Sequence, residues 1–294
     1  MWNHWVARTF APETPFEDFE LARWTWTKIN ELFPEAIAIV LMPNHLHLLL
    51  SEKENSQSQV PHRLGGLLGS VTKRLKQQAL WQPIPPHSVI PDRNHLKRQI
   101  RYLALNPCRK RLCADPTSWH WSTYREILGA SSENPDRAAK IIRTLGESDN
   151  NFQVRFHAYV SGDPSVCVAG TPSPVRAQPT ELSRHSLGEI LEASAAAMRV
   201  RSCEIQANFR LRHLFIHLAY NYGWNRPSLL AQICGQSISS IHWVLTKTTP
   251  TGLEAAELCL GDRRLIHHPG QPESHPLKLN LKPMPKIQNQ GVKV

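Results

Sequence analysis

Residues Trp2, His4, Val6, Arg8 and Phe10 fall in alternating register, which predicts a first strand over residues 2–10, closed by a proline-containing turn. A period near 3.6 follows. Phe19, Ala22, Trp26, Ile29 and Phe33 form one apolar stripe; Thr14 as cap, Pro15 in the first helical position and Glu17 three residues on read as a capping box; Pro34 ends the helix. Two apolar runs then meet at Pro43-Asn44, inside Ala36-Ile-Ala-Ile-Val-Leu-Met-Pro-Asn-His-Leu-His-Leu-Leu-Leu50, and predict a tight hairpin. After a polar loop, Leu64, Leu68, Val71 and Leu75 repeat at helical spacing, with Lys73, Arg74 and Lys76 on the wet side. Trp81-Gln-Pro-Ile-Pro-Pro86 cannot be helical and reads as an exposed connection. Helical periodicity returns over 92–106, where Leu96, Ile100 and Leu103 face inward and Pro107 should force a stop.

Beyond residue 130 the pattern thins. A short helical extension fits 131–161, and residues 162–184, with Pro164, Pro172, Pro174, Pro179 and several serines, read as a linker. A second, helical domain is expected at 185–265. Within it Leu230-Ala-Gln-Ile-Cys-Gly-Gln-Ser-Ile-Ser-Ser-Ile-His-Trp-Val-Leu245 resembles a helix-turn-helix: Ala231 is small where helices cross, Gly235 permits the turn, and Leu230, Ile238, Ile241 and Val244 supply buried contacts. That placement turns Ser239, Ser240 and Trp243 outward as candidate base readers; plain helix packing is the competing explanation. Residues 266–294, rich in proline and lysine, suggest a disordered basic tail.

Charge adds a partner class to this picture. The formal net charge is +10, with a pI near 9.5, which points toward a polyanion. No run of 18 apolar residues occurs, so neither a transmembrane span nor a signal peptide is expected. Six cysteines without a C-x-x-C pair fit a reducing cytosol.

The chemistry concentrates at the hairpin. Alternation along a strand places His45 and His47 on one face, with Cα atoms about 6.6 Å apart, close enough to share one divalent metal. With 15 histidines in the chain, about 0.8 His-x-His pairs arise by chance, so the setting has to carry the reading. Two imidazoles in the most apolar strand need partners or a metal to offset their burial. Tyr102 and Asn106 lie one helical turn apart. Two readings of them stand: a core-edge aromatic with a C-terminal cap, or a nucleophile with an oxygen ligand that completes a two-His site open to phosphate. Trp119, Trp121 and Tyr124 either close the core or stack on unpaired bases.

Three motifs in order, Met42-Pro-Asn-His-Leu-His-Leu-Leu-Leu50, Arg101-Tyr-Leu-Ala-Leu-Asn-Pro107 and Trp119-His-Trp-Ser-Thr-Tyr124, strongly resemble the REP-associated tyrosine transposases, a branch of the HUH single-tyrosine transposases. The resemblance covers residues 1–130. It implies an α+β fold, a ferredoxin-like antiparallel sheet with helices on one face and the tyrosine helix across the metal, followed by the small all-α domain. It implies Tyr102 as nucleophile, with His45, His47 and Asn106 holding Mg²⁺ or Mn²⁺; related insertion-sequence enzymes carry the longer Gln where this chain has Asn106. Arg98, Arg101, Arg109 and Lys110, with Arg93, Lys97 and Arg111 nearby, could hold a DNA backbone. The implied partner is single-stranded, hairpin-containing DNA with duplex flanks, handled by a monomer or homodimer at the bacterial nucleoid in the cytoplasm. On this reading the chemistry needs only residues 1–130. The alternative is a non-catalytic DNA-binding regulator that retains the fold. A metal hydrolase of barrel type is disfavoured, since the barrel alone takes about 250 residues.

Overall fold

In the computed structural model, residues 1–52, 59–134, 136–147, 151–167, 172–179, 185–247 and 249–266 are described; apart from Ile266, the expected basic tail lies outside them. Strand β1 (Trp2–Arg8) leads into helix α1 (Phe19–Leu32), the hairpin β2 (Ala38–Met42) and β3 (His45–Ser51), helix α2 (Gln59–Arg74) and strand β4 (Ser88–Ile90). The four strands form one antiparallel sheet in the order β2-β3-β1-β4, the β-α-β-β-α-β arrangement of a ferredoxin-type sheet. The hairpin turns on Pro43 and Asn44, with Met42 paired to His45. Strand β4 follows the proline-rich connection and has no alternating signal long enough to announce it.

Helix α1 begins later than its sequence suggests. Thr14 makes no side-chain capping bond and precedes a single 3₁₀ turn at Pro15–Glu17. Asp18 is the true cap, its carboxylate accepting the Leu21 amide at 2.7 Å, where a negative charge also complements the helix N-terminus. Strand β1 likewise ends at Arg8, two residues before Phe10.

Helix α3 (Arg93–Arg109) crosses the histidine face of the sheet and runs through Pro107 instead of stopping before it. Proline removes only its own amide donor; the amides of Lys110, Arg111 and Leu112 reach back to Asn106, Cys108 and Pro107 carbonyls, so the last turn closes around the buried ring. The opposite face of the sheet, with Trp5, Ala7, Leu46 and Leu48, is buried in the same core as the inward residues of α1 and α2.

The Trp119–Tyr124 motif closes that core. Leu41 donates its amide to the Trp121 carbonyl at 2.9 Å and Thr123 donates to Ile39 at 3.0 Å, which covers the outer edge of β2. Helix α4 (Tyr124–Ile127) follows, then α5 (Asp136–Leu145) and α6 (Phe152–Ser161) as the helical extension.

A second core gathers α7 (Leu187–Ala197), α8 (Phe209–Asn221), α9 (Pro227–Cys234), α10 (Ile238–Leu245) and α11 (Leu253–Gly261). Its junction with the first is built on the buried guanidinium groups of Arg125 and Arg199. Arg125 donates to the carbonyls of Thr117, Leu265 and Ala196. Arg199 donates to the His120 and Ser122 carbonyls and pairs with Glu133 at 2.5 Å, while Glu126 lies 2.7 Å from Arg137 and 3.4 Å from Arg199. These bonds tie residues 117–137 to residues 196, 199 and 265. Among the described residues no helix is long and apolar enough to cross a membrane.

Candidate functional site

The strand register places His45 opposite Arg8 and His47 opposite Val6 on β1. Both histidines are buried, on the face that α3 crosses. From α3, Asn106 projects its amide toward the two rings, with Nδ2 2.6 Å from His47 Nε2 and 3.5 Å from His45 Nε2. The far sides of the rings are also engaged: His45 Nδ1 lies 2.7 Å from Asn44 Oδ1, and His47 Nδ1 lies 3.0 Å from His4 Nε2. The two Nε2 atoms thus face one amide while the two Nδ1 atoms are held from behind.

Burial keeps these rings neutral. It pushes His4 down to about 4. It does the same for His45, helped by the charges of Arg8 and Lys110. His47 is held well below its usual value by burial, and then by His45, His4 and Arg8. Neutral imidazole is the metal-binding form. Amide oxygen and nitrogen are interchangeable positions, so Asn106 can offer an oxygen where its nitrogen now points. Two imidazoles and an amide oxygen suit a divalent cation that takes its remaining ligands from water or phosphate. Among the described residues, no group of three or more His, Cys, Asp or Glu side chains is arranged to hold a metal ion, so Asn106 is needed to make a third ligand.

Tyr102 sits one turn before Asn106, its ring 6.3 Å from that of His47 and edge-on to it. It is 39% exposed, which leaves it open to a polymer. The Arg109 guanidinium stands 5.3 Å from its ring centroid. The rival Tyr124 is buried, and its hydroxyl lies 2.8 Å from His157 Nδ1; burial pushes its phenol well up. Trp119 is tied to the Leu41 carbonyl, and Trp121 packs against Phe19 and Trp26. All three aromatics are core residues and present no stacking surface.

No protein-family model matches this chain, and no curated protein does. Among solved structures, it is similar to a REP-associated tyrosine transposase bound to a REP hairpin, at 19% identity and a TM-score of 0.36, over 42% of this chain and 75% of that one. The likeness is distant.

The basic candidates divide. Arg98 and Lys110 are exposed. Arg109 and Arg101 share Asp163, at 3.0 and 3.5 Å, and Arg101 also lies over Tyr159. Asp163 belongs to the stretch read as a linker, and its carboxyl is held low by bonds from Ser165 and Arg109 against the opposing effect of burial. Arg8 was missed as a site residue, although its alternation with His4 on β1 placed both on one face. His4 and Gln99 were missed as well.

In the C-terminal half, α9 and α10 meet at Gly235, which caps α9 with φ +62° in the left-handed region. Ser237 caps α10 by accepting the Ser240 amide. Ser239 and Trp243 face solvent, Trp243 at 50% exposure, while Ser240 is half-buried with its hydroxyl 2.9 Å from that of Ser237. Ile238, expected inside, is 49% exposed; as the first helical residue it precedes the inward stripe of Ile241 and Val244.

Proposed function

We propose that this protein is a metal-dependent single-stranded DNA endonuclease and strand transferase, a transposase of the HUH single-tyrosine type, acting through a 5′-phosphotyrosine on hairpin-containing DNA. The observation that carries the reading is the convergence of His45 Nε2, His47 Nε2 and the Asn106 amide beneath an exposed tyrosine on the same helix. Hairpin DNA as substrate follows from the three-motif resemblance.

His45, His47 and Asn106 would hold Mg²⁺ or Mn²⁺. When bound, such a cation polarises a phosphate and offsets the charge that develops on it. Arg109, 5.3 Å from the Tyr102 ring centroid, and Arg8 and Lys110, whose charges act on His45, would orient the DNA backbone, with Arg98 and Arg101 farther along the helix. Tyr102 Oη attacks the phosphorus; an Oη–P bond forms, the P–O3′ bond breaks, and the electron pair leaves on the 3′ oxygen, which takes a proton from water while the phenolic proton passes to solvent. One phosphoester replaces another, so a 3′-hydroxyl can reverse the step without ATP.

Full-length protein incubated with Mn²⁺ and single-stranded DNA from the flanks of its own gene should yield a covalent adduct on a denaturing gel; an intact substrate with no adduct would sink the proposal. His45→Ala or His47→Ala should lower Mn²⁺ affinity and cleavage together, and Asn106→Ala should do so less, because an amide oxygen is the weaker ligand. Calorimetry reads this directly, and unchanged binding in both histidine variants would remove the metal site.

The α9–α10 pair would read duplex flanks. Ser239→Ala with Ser240→Ala is expected to reduce sequence discrimination by about 1–3 kcal/mol per lost base contact. Trp243→Ala should weaken binding to flanked hairpins more than to bare single strands. Fluorescence anisotropy on the two substrates separates these effects, and equal affinities throughout would make the C-terminal half a packing module.

A further inference from the structure

We propose that His4 and Gln99 are positioning residues that hold His47 as the tautomer protonated on Nδ1, leaving its Nε2 lone pair on the side of Asn106 where a divalent cation would bind. The purpose of that arrangement rests on the metal reading above; its geometry belongs to the metal-free fold.

Two ring nitrogens in hydrogen-bond contact need one proton and one lone pair between them. At the His4–His47 contact of 3.0 Å, either ring could supply the proton. His45 decides which. With the Asn44 amide oriented as in the structure, its oxygen 2.7 Å from His45 Nδ1, that nitrogen carries the proton and Nε2 the lone pair. The Asn106 amide faces that Nε2 and His47 Nε2 together. An NH₂ group satisfies both rings when both carry lone pairs. If His47 were protonated on Nε2, Asn106 would have to turn its oxygen toward it, and that oxygen would also meet the His45 lone pair.

His47 therefore keeps its proton on Nδ1 and donates it to His4 Nε2. His4 is left with its own proton on Nδ1, 3.2 Å from the Gln99 amide, whose oxygen and nitrogen are interchangeable positions. Gln99 and Asn106 are seven residues apart on α3, two helical turns on one face. The chain Gln99–His4–His47–Asn106 thus begins and ends on the same helix, and His47 is gripped at both ring nitrogens. Partners of this kind, which orient a ligating imidazole from behind, are worth about 10–100-fold in metal affinity.

The test uses full-length, metal-free, ¹⁵N-labelled protein. Long-range ¹H–¹⁵N spectra should show His47 protonated on Nδ1. His4→Phe retains a planar ring and removes the acceptor; His47 should then populate both tautomers, and Mn²⁺ affinity by calorimetry should fall about 10–100-fold. His4→Gln, which restores a carbonyl acceptor, should recover part of it. Gln99→Ala, at a half-buried position, should shift the His4 tautomer with a smaller loss of affinity, and it carries the test if His4→Phe fails to fold. Wild-type His47 protonated on Nε2, or a His4→Phe variant with unchanged tautomer and affinity, would overturn the proposal. Wild-type protein that binds no Mn²⁺ overturns the metal reading, which is visible separately from the tautomer spectra.

Discussion

Tyr102→Phe should abolish the covalent protein–DNA adduct while changing folding stability and DNA affinity by no more than about 0.5 kcal/mol. The substitution removes one oxygen from a partly exposed ring. The helix beneath it stays anchored by Leu96, Ile100 and Leu103, all buried, and the Arg109 guanidinium keeps its place against the aromatic face. Tyr124→Phe should behave oppositely. It deletes a hydrogen bond to His157 inside the core, which costs about 1–3 kcal/mol, and the adduct should persist. Denaturing gels of both variants with Mn²⁺ and substrate, alongside thermal melts, distinguish the two; an adduct lost in Tyr124→Phe and retained in Tyr102→Phe would reassign the nucleophile.

Arg199→Ala should be the most destabilising single change, at about 3–5 kcal/mol. Its guanidinium is fully buried, pairs with Glu133 and Glu126, and satisfies the carbonyls of His120 and Ser122. Without it, Glu126 keeps Arg137 alone, and burial already pushes the Glu126 carboxyl up despite both arginines. The same junction bears on the expectation that residues 1–130 suffice for the chemistry. A chain cut before residue 185 loses Arg199 together with the Ala196 and Leu265 carbonyls that accept from Arg125, leaving Arg125 with the Thr117 carbonyl and Glu126 with Arg137. Urea unfolding of residues 1–184 should show a broad or early transition. A cooperative transition at the midpoint of the intact protein would establish that the halves fold independently.

What the sequence revealed was local. The Pro43-Asn44 turn, the shared face of His45 and His47 and the inward stripe of α3 each follow from spacing along one element, and each stands in the structure as expected. The cap at Asp18 was passed over because Thr14-Pro15 offered a stronger formal motif, whereas the structure spends that motif on a 3₁₀ turn. Backbone sterics at Pro107 predict a stop, whereas the helix continues to Arg109 with that ring buried. The contacts that His4, Gln99 and Asp163 make around the candidate site span 43, 95 and 54 positions of the chain, and no periodicity encodes those. That Arg125 and Arg199 bridge two cores depends on packing between distant segments.

The placement of Gln99, Tyr102 and Asn106 on one unbroken helix limits how the molecule can move during a reaction. These three residues span seven positions, about 10 Å of rise, with buried residues between and after them. The Tyr102 backbone cannot move relative to the imidazole pair without unwinding a turn, and the helix cannot slide as a rod without parting from His4 and His47 at once. On the function proposed above, joining one strand to another would call for the nucleic acid to travel: after cleavage the freed 3′ end would leave and a new one would arrive at a phosphotyrosine that has stayed where it formed.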